Sequence, residues 1–195
     1  MTHLIRSALI AIIFIISFAC NKLDLSPKNK GIPKDGSTYT IRQGNHYCDD
    51  NIFTDIETAE LKFSVRFDSS AIYQTNAPEN QEDINKLFGF SDNESQHHLF
   101  SARFGWRWSN STLRLFSYVY NNGELSYQEI GTVQIGTEYN CSIVVTGNSY
   151  IFRINDLETV MPRTSTTTMA KGFKLYPYFG GDETAPQDIR IWIKE

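Results

Sequence analysis

A period of two constrains this chain more than any other feature. Residues 61–67 alternate without a break, Leu61, Phe63, Val65 and Phe67 being apolar and Lys62, Ser64 and Arg66 polar. Runs 113–120, 141–145, 150–154 and 189–193 behave similarly. Successive side chains of a strand point to opposite faces, so this spacing predicts strands with one buried face and does not fit the 3.6-residue period of a helix. Turn chemistry separates the runs. Asn121, Asn122 and Gly123 predict a hairpin, Thr146, Gly147 and Asn148 another, and Gly131 and Gly136 bracket a short strand over 132–135. One short helix is predicted over 80–86. Short strands at intervals of roughly 8 to 12 residues, with almost no helix, predict an all-β fold: an antiparallel two-sheet β-sandwich or jelly roll.

Composition narrows what such a fold can do. Eighteen Lys+Arg against 22 Asp+Glu leave a net charge of −4, without the basic excess of a protein that neutralises phosphates, so no nucleic-acid partner is expected. Aromatic residues make up 13% of the chain, far more than a disordered chain carries. A length of 195 residues fits one domain.

The first residues read as an address. Arg6 precedes an uncharged apolar run over 7–19, too short to span a bilayer comfortably, and Cys20 follows directly. The segment resembles a bacterial lipoprotein signal peptide, which implies cleavage after residue 19 and lipid on Cys20. An uncleaved anchor and plain secretion are the other readings. Lipidation places the protein at the bacterial cell envelope, attached to a membrane through its N-terminal lipid. Residues 20–37 hold two Pro, two Gly and four Lys but no aromatic, the composition of a flexible tether. The domain is expected over 38–195. With Cys20 assigned to lipid, Cys48 and Cys141 remain. They either form a disulfide, which in the chain-entropy picture stabilises by about 4 to 5 kcal/mol, or stand as two buried thiols.

The middle of the chain carries a resemblance. Lys86, Leu87 and Gly89, then Ser101, Arg103 and Trp106, then Tyr118 and Tyr120 are similar to the Gly-Lys-Leu-x-Gly, Ser-x-Arg-x-x-Trp and Tyr-x-Tyr segments of jelly-roll polysaccharide lyases and their concanavalin A-like relatives. The run over 174–193 is similar to their closing strands. This implies a concanavalin A-like jelly roll over about residues 61–193, a scaffold that hosts binding and catalytic proteins alike.

Alternation over 97–108 then sorts the side chains. His98, Phe100, Ala102, Phe104, Trp106 and Trp108 are expected in the core, with His97, Leu99, Ser101, Arg103, Gly105 and Arg107 on the opposite face. A polysaccharide-binding face is expected from Arg103, Arg107, Tyr118, Tyr120, Lys174, Tyr176 and Tyr178. Guanidinium groups pair with carboxylates, and tyrosine rings stack on sugars. The bland reading makes these long side chains covering an exposed sheet. The leading expectation is an exported, lipid-anchored, non-catalytic protein binding a polysaccharide or other glycan, acidic in character. The alternatives are a polysaccharide lyase acting on a uronate polymer by β-elimination and an envelope structural or interaction protein.

A lyase needs a base, an acid and a neutralised carboxylate, for which the candidates are His97 or His98, Tyr176 or Tyr178, and Arg103. A hydrolase needs two catalytic carboxylates on one strand. Asp55, Glu57 and Glu60 lie close together but at the wrong spacing. No cofactor is implied. A structural calcium could use Asp182 and Asp188 with Asp49, Asp50, Asp55 or Glu183, the other reading being that Asp182 and Asp188 cap turns.

Overall fold

The computed structural model describes residues 35–195. The apolar run 1–19, Cys20 and the tether up to residue 34 lie outside the described residues. Twelve strands follow: β1 (Ser37–Ile41), β2 (Asp55–Thr58), β3 (Glu60–Phe67), β4 (Asn85–Ser91), β5 (Phe100–Ser109), β6 (Thr112–Asn121), β7 (Glu124–Val133), β8 (Glu138–Val145), β9 (Ser149–Ile154), β10 (Leu157–Pro162), β11 (Ala170–Leu175) and β12 (Ile189–Lys194). They form two antiparallel six-stranded sheets, ordered β1-β12-β3-β8-β9-β10 and β2-β11-β4-β5-β6-β7. The expected all-β, antiparallel sandwich is what the chain adopts.

Alternation puts the core where the sequence places it. Leu61, Phe63, Val65 and Phe67 of β3 face Ala102, Phe104 and Trp106 of β5 across one apolar cluster. Phe63 packs edge-on to Phe88 and Phe104, and Phe67 lies 5.3 Å from Trp106 between ring centroids. The β6–β7 hairpin turns at Asn122 and Gly123, with φ of 50° and 86°, the left-handed pair that a two-residue hairpin needs.

Three local expectations are corrected. The helix over 80–86 is absent: Pro78–Glu82 form a 3-10 turn, and Asn85 already opens β4. Glu183 accepts hydrogen bonds from the Asn76 and Ala77 N–H groups and from Asn80, which fixes the entry to that turn and leaves too few residues for a helix. The strand over 132–135 is instead the end of the ten-residue β7, which runs through Gly131 and absorbs Ile130 as a bulge opposite Leu115 and Phe116. Cys48 and Cys141 are both free and buried, so the disulfide reading fails and the two-thiol reading stands. Burial pushes Cys48 up to about 12 and Cys141 higher still, which keeps both as inert thiols.

Candidate functional site

The outer face of the second sheet is unlike an ordinary wet face. β5 turns Ser101, Arg103, Gly105 and Arg107 outward, and its register sets Arg103 beside Tyr118 of β6. Tyr118 and Phe116 are buried there with Ile84, and Tyr120 packs against them. β4 contributes Lys86. A bulge between Lys86 and Gly89 sends both Leu87 and Phe88 to the core and leaves Gly89 directly opposite Arg103. A Cβ on Gly89 would overlap the Ala102 carbonyl and the Arg103 backbone, so only glycine lets β4 approach β5 at this point.

Together these residues line a cleft of about 520 Å³. Its walls are Lys86, Arg103, Tyr118 and Tyr120 from the sheet, His97 and His98 from the loop before β5, Phe173–Tyr178 from the end of β11 and the segment after it, Gly181 beyond them, and Tyr47, Asn51 and Phe53 from the loop after β1. Among the described residues no Asp or Glu lines it, although the Asp83 carboxylate fills the space beside Gly181. Tyr178 and Lys86 exchange backbone hydrogen bonds of 2.8 and 3.0 Å, which joins the closing segment to β4.

The electrostatics are those of a cationic pair in which Arg103 is buried and Lys86 half-buried. Arg103 is only 6% exposed, its Nε–H has no partner among the described residues, and its guanidinium lies 5.7 Å from the Tyr118 ring centre. The Lys86 ammonium sits 4.8 Å over the same ring and donates to the Ile84 carbonyl at 2.6 Å. Burial, and after it the neighbouring Arg103 charge, lower Lys86 to about 8 against the Asp83 carboxylate, which favours its charge. Burial lowers Arg103 to about 10, against the tyrosines that favour its charge, and leaves it cationic at neutral pH. His97 falls to about 4 through burial, Arg103 and His98, so its imidazole is neutral. Burial raises Tyr118 and Tyr178, which keeps both hydroxyls protonated. The Ser101 hydroxyl, on the same face as Arg103, also lacks a partner.

Of the residues singled out in the sequence, Arg103, Tyr118, Tyr120, Tyr178, His97 and His98 meet in this cleft. His98 is a correction to the alternation, which sends it to the core. Residues 97–99 form a turn and β5 begins at Phe100, so the period of two does not reach them, and the His98 ring lies 5.3 Å from Tyr120. Arg107 lies outside the cleft, paired with Glu82 at 2.8 Å and stacked over Phe116. Lys174 and Tyr176 contribute wall atoms only. The Lys174 ammonium pairs with Glu195 at 2.5 Å, while the Tyr176 ring packs near Tyr39 and Phe88 with its hydroxyl against Thr54. The phase on β11 is therefore opposite to the expected one: Phe173 faces His97. Pro177, after the strand end, lets Tyr178 return to the cleft. Lys86, Tyr47, Phe53 and Phe173 were not singled out as site residues. Lys86 stands in the Lys-Leu-x-Gly motif, whereas the loop aromatics have no periodic signal.

The acidic residues near the two ends of the domain do come together, around a cation of the protein itself. Arg42 pairs with Asp49 at 2.8 Å and with Asp188 at 3.1 Å, and Asp188 also accepts the Gln43 N–H at 2.9 Å. Asp182 is exposed, and Glu183 is committed to the turn at Asn76. Among the described residues no three His, Cys, Asp or Glu side chains gather as metal ligands would.

No family model matches the sequence, and no curated protein matches it. Solved structures do match. An alginate lyase, AlyC3, superimposes with a TM-score of 0.55 over 83% of this chain and 74% of its own, at 10% identity. A functionally unknown protein from Saccharomyces cerevisiae superimposes with a TM-score of 0.52 over 87% and 90%, at 13% identity. At these identities the likeness is one of fold. The chain adopts the concanavalin A-like jelly roll found in polysaccharide lyases.

Proposed function

We propose that the cleft binds the carboxylate-bearing sugars of an acidic polysaccharide. The observation that carries this reading is Arg103, a buried guanidinium whose Nε–H has no partner among the described residues, set with Lys86 against the Tyr118 ring. A buried guanidinium without a paired carboxylate is unfavourable until an anion arrives, and a uronate carboxylate supplies one that the free Arg103 Nε–H can meet. Tyr120 and Tyr178 of the lining offer rings and hydroxyls to the sugar around it. The described lining holds no pair of carboxylates of the kind that glycoside hydrolysis uses. The fold shared with an alginate lyase is in keeping with an acidic glycan. Calorimetric titration with polyuronates and with a neutral glucan tests the reading. Saturable polyuronate binding, weakened at least about tenfold by Arg103→Ala, is expected; equal affinity for the neutral glucan contradicts it.

A second reading, β-elimination at the same site, is favoured by the protonation states. Lys86 and Arg103 would hold the carboxylate and stabilise the enolate charge. Neutral His97 would take the proton beside the carboxylate, its electrons forming the new C=C bond as the glycosidic C–O bond breaks. Protonated Tyr178 would return a proton to the leaving oxygen. Ultraviolet absorbance of the unsaturated product distinguishes catalysis from binding alone. If the protein is a lyase, His97→Ala abolishes that absorbance and keeps binding; if polyuronates bind without any absorbance change, it is a binding protein.

Cys20, beyond the described residues, is the proposed lipid anchor, supported by the uncharged run before it. Metabolic labelling with a radioactive fatty acid should mark the wild type and leave Cys20→Ser unlabelled.

A further inference from the structure

The cleft does not end at its cations. Backbone pairing runs straight across the strands: Tyr47 bridges to Tyr178 and Tyr178 to Lys86, β4 pairs with β5 at Lys86 and Gly89, Arg103 pairs with Tyr118, and Tyr118 with Tyr127 of β7. Six neighbouring segments at about 4.8 Å spacing make a row of roughly 24 Å. Exposed rings stand at both ends of it. Tyr127 is 56% exposed and lies parallel to Tyr118, with an interplanar angle of 12°. At the other end Tyr47 and Phe53 are 64% and 70% exposed; Tyr47 is held edge-on by Tyr178 and Phe53 rests 5.1 Å from Phe173. Large aromatic side chains left in water, each oriented by a ring neighbour and flanking a buried cationic centre, form preorganised stacking surfaces for apolar sugar faces.

We propose that the acidic glycan crosses the strands, one uronate carboxylate on Lys86 and Arg103, with flanking sugars stacked on Tyr127 at one end and on Tyr47 and Phe53 at the other. The site then recognises an internal stretch of chain and not a chain end. This rests on the carboxylate-binding reading above and adds the direction and length of what is bound. The three rings contribute to no core cluster, so their removal leaves the fold intact, which unchanged thermal unfolding verifies.

Calorimetric titration with oligouronates of two and of six sugars tests the proposal on wild type, Tyr127→Ala and the double variant Tyr47→Ala/Phe53→Ala. The six-sugar ligand should bind wild type at least about tenfold more tightly than the two-sugar one, the worth of one or two stacked rings. Each variant should lose several-fold more affinity for the longer ligand than for the shorter. Equal affinity of wild type for both lengths, or equal losses for both in the variants, overturns the crossing path while leaving carboxylate binding in place. Failure of both ligands to bind wild type overturns the two readings together.

Discussion

Lys86 and Arg103 both place positive charge beside the Tyr118 ring, yet only Lys86 can surrender it near neutral pH. With Lys86 lowered to about 8, affinity for a polyuronate should fall as pH rises through that value, because the deprotonated amine no longer attracts the carboxylate. Titrations at pH 6.5 and 9 check this, and Lys86→Arg should flatten the dependence. In the ligand-free protein the sign is opposite. The folded value lies below the unfolded one, so the unfolded chain binds more protons between about 8 and 10.5, and this group's contribution to stability rises with pH across that window. A second charged pair has a different purpose. Arg163 and Asp92 meet at 2.8 Å with both side chains fully buried, and Asp92 also accepts from Tyr150 and from the Lys171 N–H. Burial would raise the Asp92 carboxyl, but these donors outweigh it and hold it below its usual range. Breaking the pair with Arg163→Met should cost about 3 to 5 kcal/mol in urea unfolding, because an uncompensated carboxylate stays behind. The pair fixes the start of the loop that carries His97 and His98.

At the scale of elements, what alternation could show and what it could not divide cleanly. β3, β5, β6, β8, β9 and β12 were legible, because each buries one face and a slip of one residue would expose it. Arg103, Tyr118 and Tyr120 follow from that same phase. Lys174 and Tyr176 do not, since β11 lies between β2 and β4 and its phase is set by which residues must fill the sandwich edge beside Tyr39 and Phe88. The β4 bulge was also invisible, because Leu87 and Phe88 are consecutive apolar residues and no period marks an extra residue. Gly89→Ala tests that bulge: a methyl group forced against the Arg103 backbone should cost about 3 kcal/mol and weaken polyuronate binding with it, read by urea unfolding and titration. By contrast Gly123→Ala, in the left-handed position of the β6–β7 turn, should cost about 1 kcal/mol and leave binding unchanged. The rim residues Tyr47 and Phe53 sit in an irregular loop, where only the folded chain shows which rings meet.

For the whole molecule, scaffold and site are separate achievements. One apolar cluster between two sheets stabilises the jelly roll, and the same fold serves unrelated chemistries, so the function has to be argued from the outer face of one sheet. There a chain with net charge −4 holds a buried guanidinium whose Nε–H has no partner among the described residues, beside the half-buried Lys86. Added salt should therefore weaken polyuronate binding less than it would at an exposed pair, since the charges lie in a partly water-excluded cleft. The most direct test of that arrangement is one calorimetric comparison: a six-sugar oligouronate against a neutral glucan oligomer of the same length, on wild type and on Arg103→Ala. The cleft as described predicts saturable binding of the oligouronate alone, reduced at least about tenfold by the substitution. Binding that ignores either the carboxylates or Arg103 would contradict it.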